Sequence, residues 1–91
     1  MATIPTSPTF ILYHHRACPF CVSTRSALSH LAVSVEERDI IRNPAYRAEL
    51  IQGGGKAQVP CLRINSEHGD DWLYESDEIV RYLKRHAANA R

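Results

Sequence analysis

Cys18-Pro19-Phe20-Cys21 sets two thiols three positions apart, directly behind the apolar run at residues 10–13. A sulfur at a helix N-cap faces the unpaired N–H groups of the first turn and the positive end of the helix dipole, and both favour S⁻ over SH. Thiols so placed have pKa values lowered from about 8.5 to roughly 3.5–7.5, so a useful fraction is ionised at neutral pH. Pro19 fits the first helical position, where its missing N–H costs nothing. Cys21 then lies one turn on, on the same face, where a disulfide to Cys18 closes without unwinding the helix. Two chemistries suit the pair. One is thiol-disulfide exchange, with Cys18 as nucleophile at the cap and Cys21 as resolving thiol. The other is half of a zinc site, completed by His14, His15, His68 or Cys61. A second Cys-x-x-Cys is missing, and the proline suits a helix start better than a zinc knuckle, so redox chemistry is the preferred reading.

Other residues can surround such a thiol. Ser76 reads as an N-cap, with Asp77 and Glu78 bringing negative charge to the first turn of the last helix. The N–H groups there also form an anion site, and Glu75 or Asp77 offers a carboxylate to an ammonium group. Ordinary capping accounts for Ser76 equally well, and the two roles are compatible. Lys56 reads as a loop lysine, and His14 and His15 as a polar loop. Cys61 points opposite Leu62 and reads first as a small buried thiol, with a regulatory or accessory redox thiol as the alternative. Trp72 and Tyr74 read as packing residues.

Elements must hold these groups in place. Residues 1–8, with Pro5 and Pro8 among small polar residues, read as a flexible tail, and residues 9–88 as the folded domain. Residues 9–13 are almost continuously apolar, as a central strand covered on both faces would be. From Pro19 the period turns helical, with Thr24, Ala27, Leu28 and Leu31 on the buried stripe. Residues 33–40 read as a short edge strand. Asn43-Pro44 starts a second helix that ends near Gln52, stopped by Gly53-Gly54-Gly55. Residues 59–64 form a strand entered through Pro60, residues 65–70 a turn and residues 71–74 the return strand. Ile79, Val80, Leu83 and Ala87 make the buried stripe of the last helix. The order is β-α-β-α-β-β-α. A right-handed parallel crossover followed by an antiparallel hairpin gives an α/β fold, a mixed four-stranded sheet flanked by three helices.

Composition limits the partners. Ninety-one residues make one small domain, too few for a catalytic domain and a separate substrate domain. Lysine and arginine number 11 against 10 acidic residues, a net charge of +1, and the basic residues are scattered, so neither nucleic acid nor a membrane is expected as partner. No segment approaches the roughly 18 apolar residues of a membrane span, and no secretion signal opens the chain, so a cytoplasmic location is expected. Three cysteines without such a signal speak against a disulfide-stapled scaffold. A monomer is expected.

In this order and spacing, Cys18-Pro19-Phe20-Cys21, Val59-Pro60 and Glu75-Ser76-Asp77 resemble the glutaredoxin family of the thioredoxin superfamily, over residues 9–87. The resemblance implies a thioredoxin-like fold and a glutathione-dependent thiol-disulfide oxidoreductase serving electron transport and cell redox homeostasis. It implies that Cys18 attacks protein-glutathione mixed disulfides, that Cys21 adds a route to protein disulfides, and that glutathione is co-substrate, with no metal expected. Glutathionylated or disulfide-bonded proteins are then the other partners. It further implies a cis Pro60, which brings the Val59 backbone beside Cys18 to pair with the cysteinyl part of glutathione. Glu75, Ser76 and Asp77 would take the γ-glutamyl end, Lys56 the glycyl carboxylate, and His15 or Arg16 the thiolate or the glycyl end.

Two departures stand out. Phe20, which the resemblance places among the glutathione-binding residues, stands where glutaredoxins most often carry tyrosine, so a hydroxyl is missing while the ring remains to shield the thiols. Trp72-Leu73-Tyr74-Glu75-Ser76 replaces the usual Gly-Gly pair and is similar to the N-terminal domain of glutathione transferases, where an acidic or amide residue and a serine hold the γ-glutamyl end. A transferase needs a helical domain after the last helix, and none is expected to follow. The alternatives are an iron-sulfur carrier using Cys18 and glutathione, a zinc-binding module using Cys18 and Cys21, and a glutathione-binding transferase-like domain.

Overall fold

The computed structural model describes residues 8–31, 33–67 and 69–89. The tail expected at residues 1–8 therefore lies, up to residue 7, outside the described residues, as does His68. Along the chain run β1 (Thr9–His14), α1 (Pro19–Leu28), β2 (Val35–Asp39), α2 (Pro44–Gly54), β3 (Cys61–Ser66), β4 (Gly69–Tyr74) and α3 (Ser76–Asn89), the order expected from the sequence. The four-stranded sheet has the order β2-β1-β3-β4. β1 is parallel to β2 and antiparallel to β3, and β3 and β4 form the hairpin.

Alternation along β1 explains its unbroken apolarity. Phe10 and Leu12 face α1 and α3, in a core with Leu28, Leu62, Ile64, Ile79 and Leu83. Ile11 and Tyr13 face α2, with Ile40, Leu50 and Cys61. Each fully buried large apolar side chain contributes about 1.5–3 kcal/mol, so a strand buried on both faces anchors both helix layers. β2 lies at the sheet edge and is only half-buried, as its charged sequence requires.

Beyond bounds that shift by one or two residues at β2 and β3, where Val59 and Pro60 fall outside the strand, the structure departs from the sequence reading at four places. β1 runs one residue further, to His14, which pairs with Asp39 and is 4% exposed instead of lying in a polar loop. The parallel partner strand extends far enough to hold it, through the Ile40 N–H donating to the His14 carbonyl at 2.9 Å. α2 starts as expected, with Asn43 Oδ1 accepting the Ala45 N–H at 3.0 Å, but continues through Gly53 and Gly54. Only Gly55, at φ 94°, is a left-handed cap. Gly53 and Gly54 are there for packing: a Cβ on Gly53 would stand 2.6 Å from Trp72 Cε2 and 2.7 Å from Cη2, and one on Gly54 would strike the Tyr74 hydroxyl. The turn expected over residues 65–70 shortens to two residues, because Asn65 pairs with Asp70 and Ser66 with Gly69. Asp70 is drawn into the ladder by Asn65 Nδ2 at 2.6 Å and Arg63 at 2.9 Å.

The fourth departure concerns the start of α3. Ser76 is its first helical residue and not its N-cap, for the Glu75 carbonyl accepts the first intrahelical bond, from the Ile79 N–H at 3.1 Å. Glu75 has φ 73°, a left-handed conformation that costs a residue with a Cβ about 1–2 kcal/mol.

Candidate active site

Cys18 caps α1. Its carbonyl accepts from the Val22 N–H at 3.0 Å, and its Sγ accepts from the Cys21 N–H at 3.3 Å, so one donor of the first turn points at the sulfur. Pro19 holds the first helical position. The Val59–Pro60 bond is cis, and the Cys18 Sγ lies 4.0 Å from the Val59 carbonyl oxygen. All three cysteines are free thiols, Cys18 half-buried and Cys21 fully buried. Burial, and then the contact with Cys18, pushes the Cys21 thiol up to about 12. The pair is therefore unequal: one sulfur reaches solvent at the helix cap, and the other stays protonated beneath it.

Beside Cys18 opens a cleft of about 270 Å³ walled by Phe20, Val59, Pro60, Glu75, Ser76 and Asp77. Its far end is the first turn of α3, whose N–H groups have no intrahelical partner. The strained Glu75 and the exposed Asp77 bring two carboxylates to the same rim. Free N–H donors beside carboxylates suit a zwitterion, with its carboxylate on the donors and its ammonium on the acids. Phe20 is 64% exposed, so its ring is a wall of the cleft more than a cover for the thiols. A larger groove, about 630 Å³ between α1 and α3, adjoins at Ser76 and Asp77 but contains no thiol.

Six of the residues singled out in the sequence thus meet in one cleft, with Cys18 beside its Val59 wall and Cys21 buried behind it. His15 and Lys56 do not line it. His15 sits in the loop before α1, where its carbonyl accepts the Cys18 N–H at 3.3 Å. Lys56 lies with Nζ 4.7 Å from the centre of the Tyr74 ring, and its carbonyl accepts the Tyr74 hydroxyl at 2.9 Å. Gln58 lines the cleft and was missed. Its only signal is its place one residue before Val59-Pro60. Cys61 is buried, and burial pushes its thiol up to about 11. Trp72 packs as expected, stacked on Tyr13 at 5.6 Å and under Arg63 at 5.1 Å. Among the described residues no three His, Cys, Asp or Glu side chains gather as a metal site would need.

Known proteins resemble this chain in sequence and fold. The chain is 37% identical over 68 residues to Glutaredoxin 3 of Escherichia coli K12, an alignment covering 72% of this chain and 82% of that protein. Glutaredoxin from Brucella melitensis superposes with a TM-score of 0.55 over 90% of this chain and 84% of its own, at 20% identity. A maleylacetoacetate isomerase from Anaeromyxobacter dehalogenans, solved with GSH in its active site, superposes with a TM-score of 0.68 at 20% identity. That likeness covers 92% of this chain but 40% of the isomerase, and it is one of fold. Residues 10–68, with the cysteine pair, the cis proline and three of the four strands, match the family model described as Glutaredoxin. The thioredoxin-like architecture is thus a shared feature, and the chain belongs to the glutaredoxin family.

Proposed function

We propose that the chain reduces protein-glutathione mixed disulfides through Cys18, with glutathione as reductant. The Cys18 thiolate attacks the glutathione sulfur of the mixed disulfide. The S–S bond breaks, the protein sulfur leaves with the electron pair and takes a proton, and glutathione stays on Cys18. A second glutathione thiolate then attacks the glutathione sulfur, forming glutathione disulfide and releasing Cys18 as thiolate, so the electron pair that left with the protein sulfur is made good by the second glutathione, which is the thiol oxidised. For a protein disulfide, Cys18 attacks one sulfur and Cys21 displaces the product, closing a Cys18–Cys21 disulfide that two glutathiones reopen.

The observation that carries this reading is the cleft that begins at Val59, beside the Cys18 sulfur, and ends on free N–H groups flanked by Glu75 and Asp77. Its length and its two chemistries suit glutathione: a thiol at one end, an amino acid zwitterion at the other. Buried and protonated, Cys21 is a poor rival to free glutathione for the second step. The test is steady-state reduction of a small mixed disulfide by glutathione with wild type, Cys18→Ser and Cys21→Ser. Loss in Cys18→Ser with survival in Cys21→Ser is expected, and full activity in Cys18→Ser would sink the assignment.

A further inference from the structure

The groove between α1 and α3 takes no part in the exchange chemistry. At about 630 Å³ it is more than twice the thiol cleft, and Ser76 and Asp77 line both. Phe20, Ser23, Thr24 and Ala27 recur at i, i+3, i+4 and i+7, so one face of α1 runs from the cleft into the groove. Ser23 and Ala27 are small and leave room beside the helix. Thr24 is buried, and its hydroxyl donates to the Phe20 carbonyl at 2.7 Å. The opposite wall is the stripe of α3 carrying Val80, Arg81, Lys84 and Arg85. Basic residues that look scattered along the sequence become, once wound into α3, a row of three cations on one face. Arg81 pairs with Glu78 at 3.3 Å in an exposed contact, while among the described residues Lys84 and Arg85 have no carboxylate within ion-pair distance.

We infer that this groove docks an acidic segment of the protein substrate, next in sequence to the cysteine being reduced. The inference rests on reading Cys18 as the nucleophile of the adjoining cleft. Charge complementarity selects the occupant, because the groove wall offers cations without partners and the opposite wall is neutral. The fold also sets a distance. From Asp77 at the cleft mouth to Lys84 and Arg85 is seven or eight residues of helix, about 11–12 Å at the α-helical rise. An extended chain covers that in about three or four residues. Acidic side chains three to five positions from the reactive cysteine would reach Lys84 and Arg85. Acids immediately beside it would meet Asp77 instead.

The test compares glutathionylated peptides with two glutamates, two glutamines or two lysines at the third and fourth positions from the cysteine, on its N-terminal or C-terminal side. Rates are measured at low salt with wild type and Lys84→Glu/Arg85→Glu, and the cysteine-glutathione mixed disulfide serves as reference. Wild type is expected to favour the glutamate peptide over the lysine peptide by about 3- to 10-fold in kcat/KM on one side, the scale of two exposed ion pairs. The order should reverse in the charge-reversed variant, with the reference substrate reduced equally by both proteins. Equal rates for glutamate and lysine peptides in wild type, a preference that persists in the variant, or a parallel loss on the reference substrate would each overturn the docking site. Failure of wild type to reduce even the reference substrate would overturn the redox reading, and the docking site with it.

Discussion

On the proposed mechanism, Cys21 sets how fast the domain can clear a mixed disulfide without outside help. Its thiol is pushed up to about 12 from an ordinary value near 9, first by burial and then by Cys18. A rise of that size cuts the thiolate available at pH 7 about 1000-fold. The more basic sulfur attacks faster, and a Brønsted slope of about 0.4–0.5 returns roughly 20-fold. The net deficit against a solvent-exposed thiol at the same place is about 50-fold. Part of the push vanishes when Cys18 is capped by glutathione and carries no charge, but burial remains. Cys18 loaded with glutathione in the wild-type protein, freed of excess glutathione and followed by acid quenching and intact mass, should therefore lose it slowly at pH 7. The rate should rise about tenfold per pH unit through pH 9, and the loss should be absent in Cys21→Ser. A rate unchanged between pH 7 and 9 would mean that Cys21 is already ionised and would refute the argument.

Gly53→Ala gains about 1 kcal/mol of helix propensity but drives a methyl into the Trp72 indole, which Tyr13 and Arg63 hold in place, so a net loss of about 1–2 kcal/mol is expected. Thermal melting should fall by about 5–10 °C, and an unchanged or higher midpoint would show that Trp72 yields freely. Glu75→Gly relieves the left-handed strain at φ 73° and removes a carboxylate from the cleft. Melting should rise by a few degrees, about 0.5–1 kcal/mol after glycine's unfolded-state entropy, while KM for the mixed disulfide rises about 3- to 10-fold; a lower midpoint or an unchanged KM contradicts this. Cys21 and Cys61 keep their protons in the fold while the unfolded chain releases them above about pH 9. Their contribution is whole below that pH and shrinks as pH rises, by about 1.4 kcal/mol per unit for each thiol. Urea unfolding from pH 9 to 10 should show Cys61→Ala with the shallower pH slope, and identical slopes would remove Cys61 from the account.

How much of this was legible in the sequence depends on the range of the interaction. Local signals read true: the cap at Cys18, Pro19 at the start of α1, Asn43-Pro44 opening α2, and the alternation that sends Leu62 and Cys61 to opposite faces. Long-range contacts did not. Gly53 and Gly54 look like a helix stop, because nothing local says that Trp72 and Tyr74 will lie against them. His14 looks like a loop residue until β2 supplies a partner for it. Glu75 in a left-handed cap runs against its own propensity, and such local conflict gathers where a site needs a particular backbone path. The Tyr13 hydroxyl shows the same limit. It donates to Glu49 at 2.9 Å and receives Arg38 at 3.4 Å and Arg63 at 3.3 Å, groups 25 to 50 residues away. No spacing rule finds that network. For the candidate cleft, motif order pointed to the wall residues, while Gln58 and the distances of His15 and Lys56 from it needed the folded chain.

The most direct test of the central claim is to locate the sulfur that takes up glutathione. Cys21→Ser protein, which cannot close the Cys18–Cys21 disulfide, is incubated with glutathione disulfide at pH 7, and the modified thiol is found by intact mass and peptide mapping. One glutathione on Cys18 is predicted, with Cys61 unmodified in its buried site. Glutathione on Cys61 in preference to Cys18, or on neither thiol, would contradict the account.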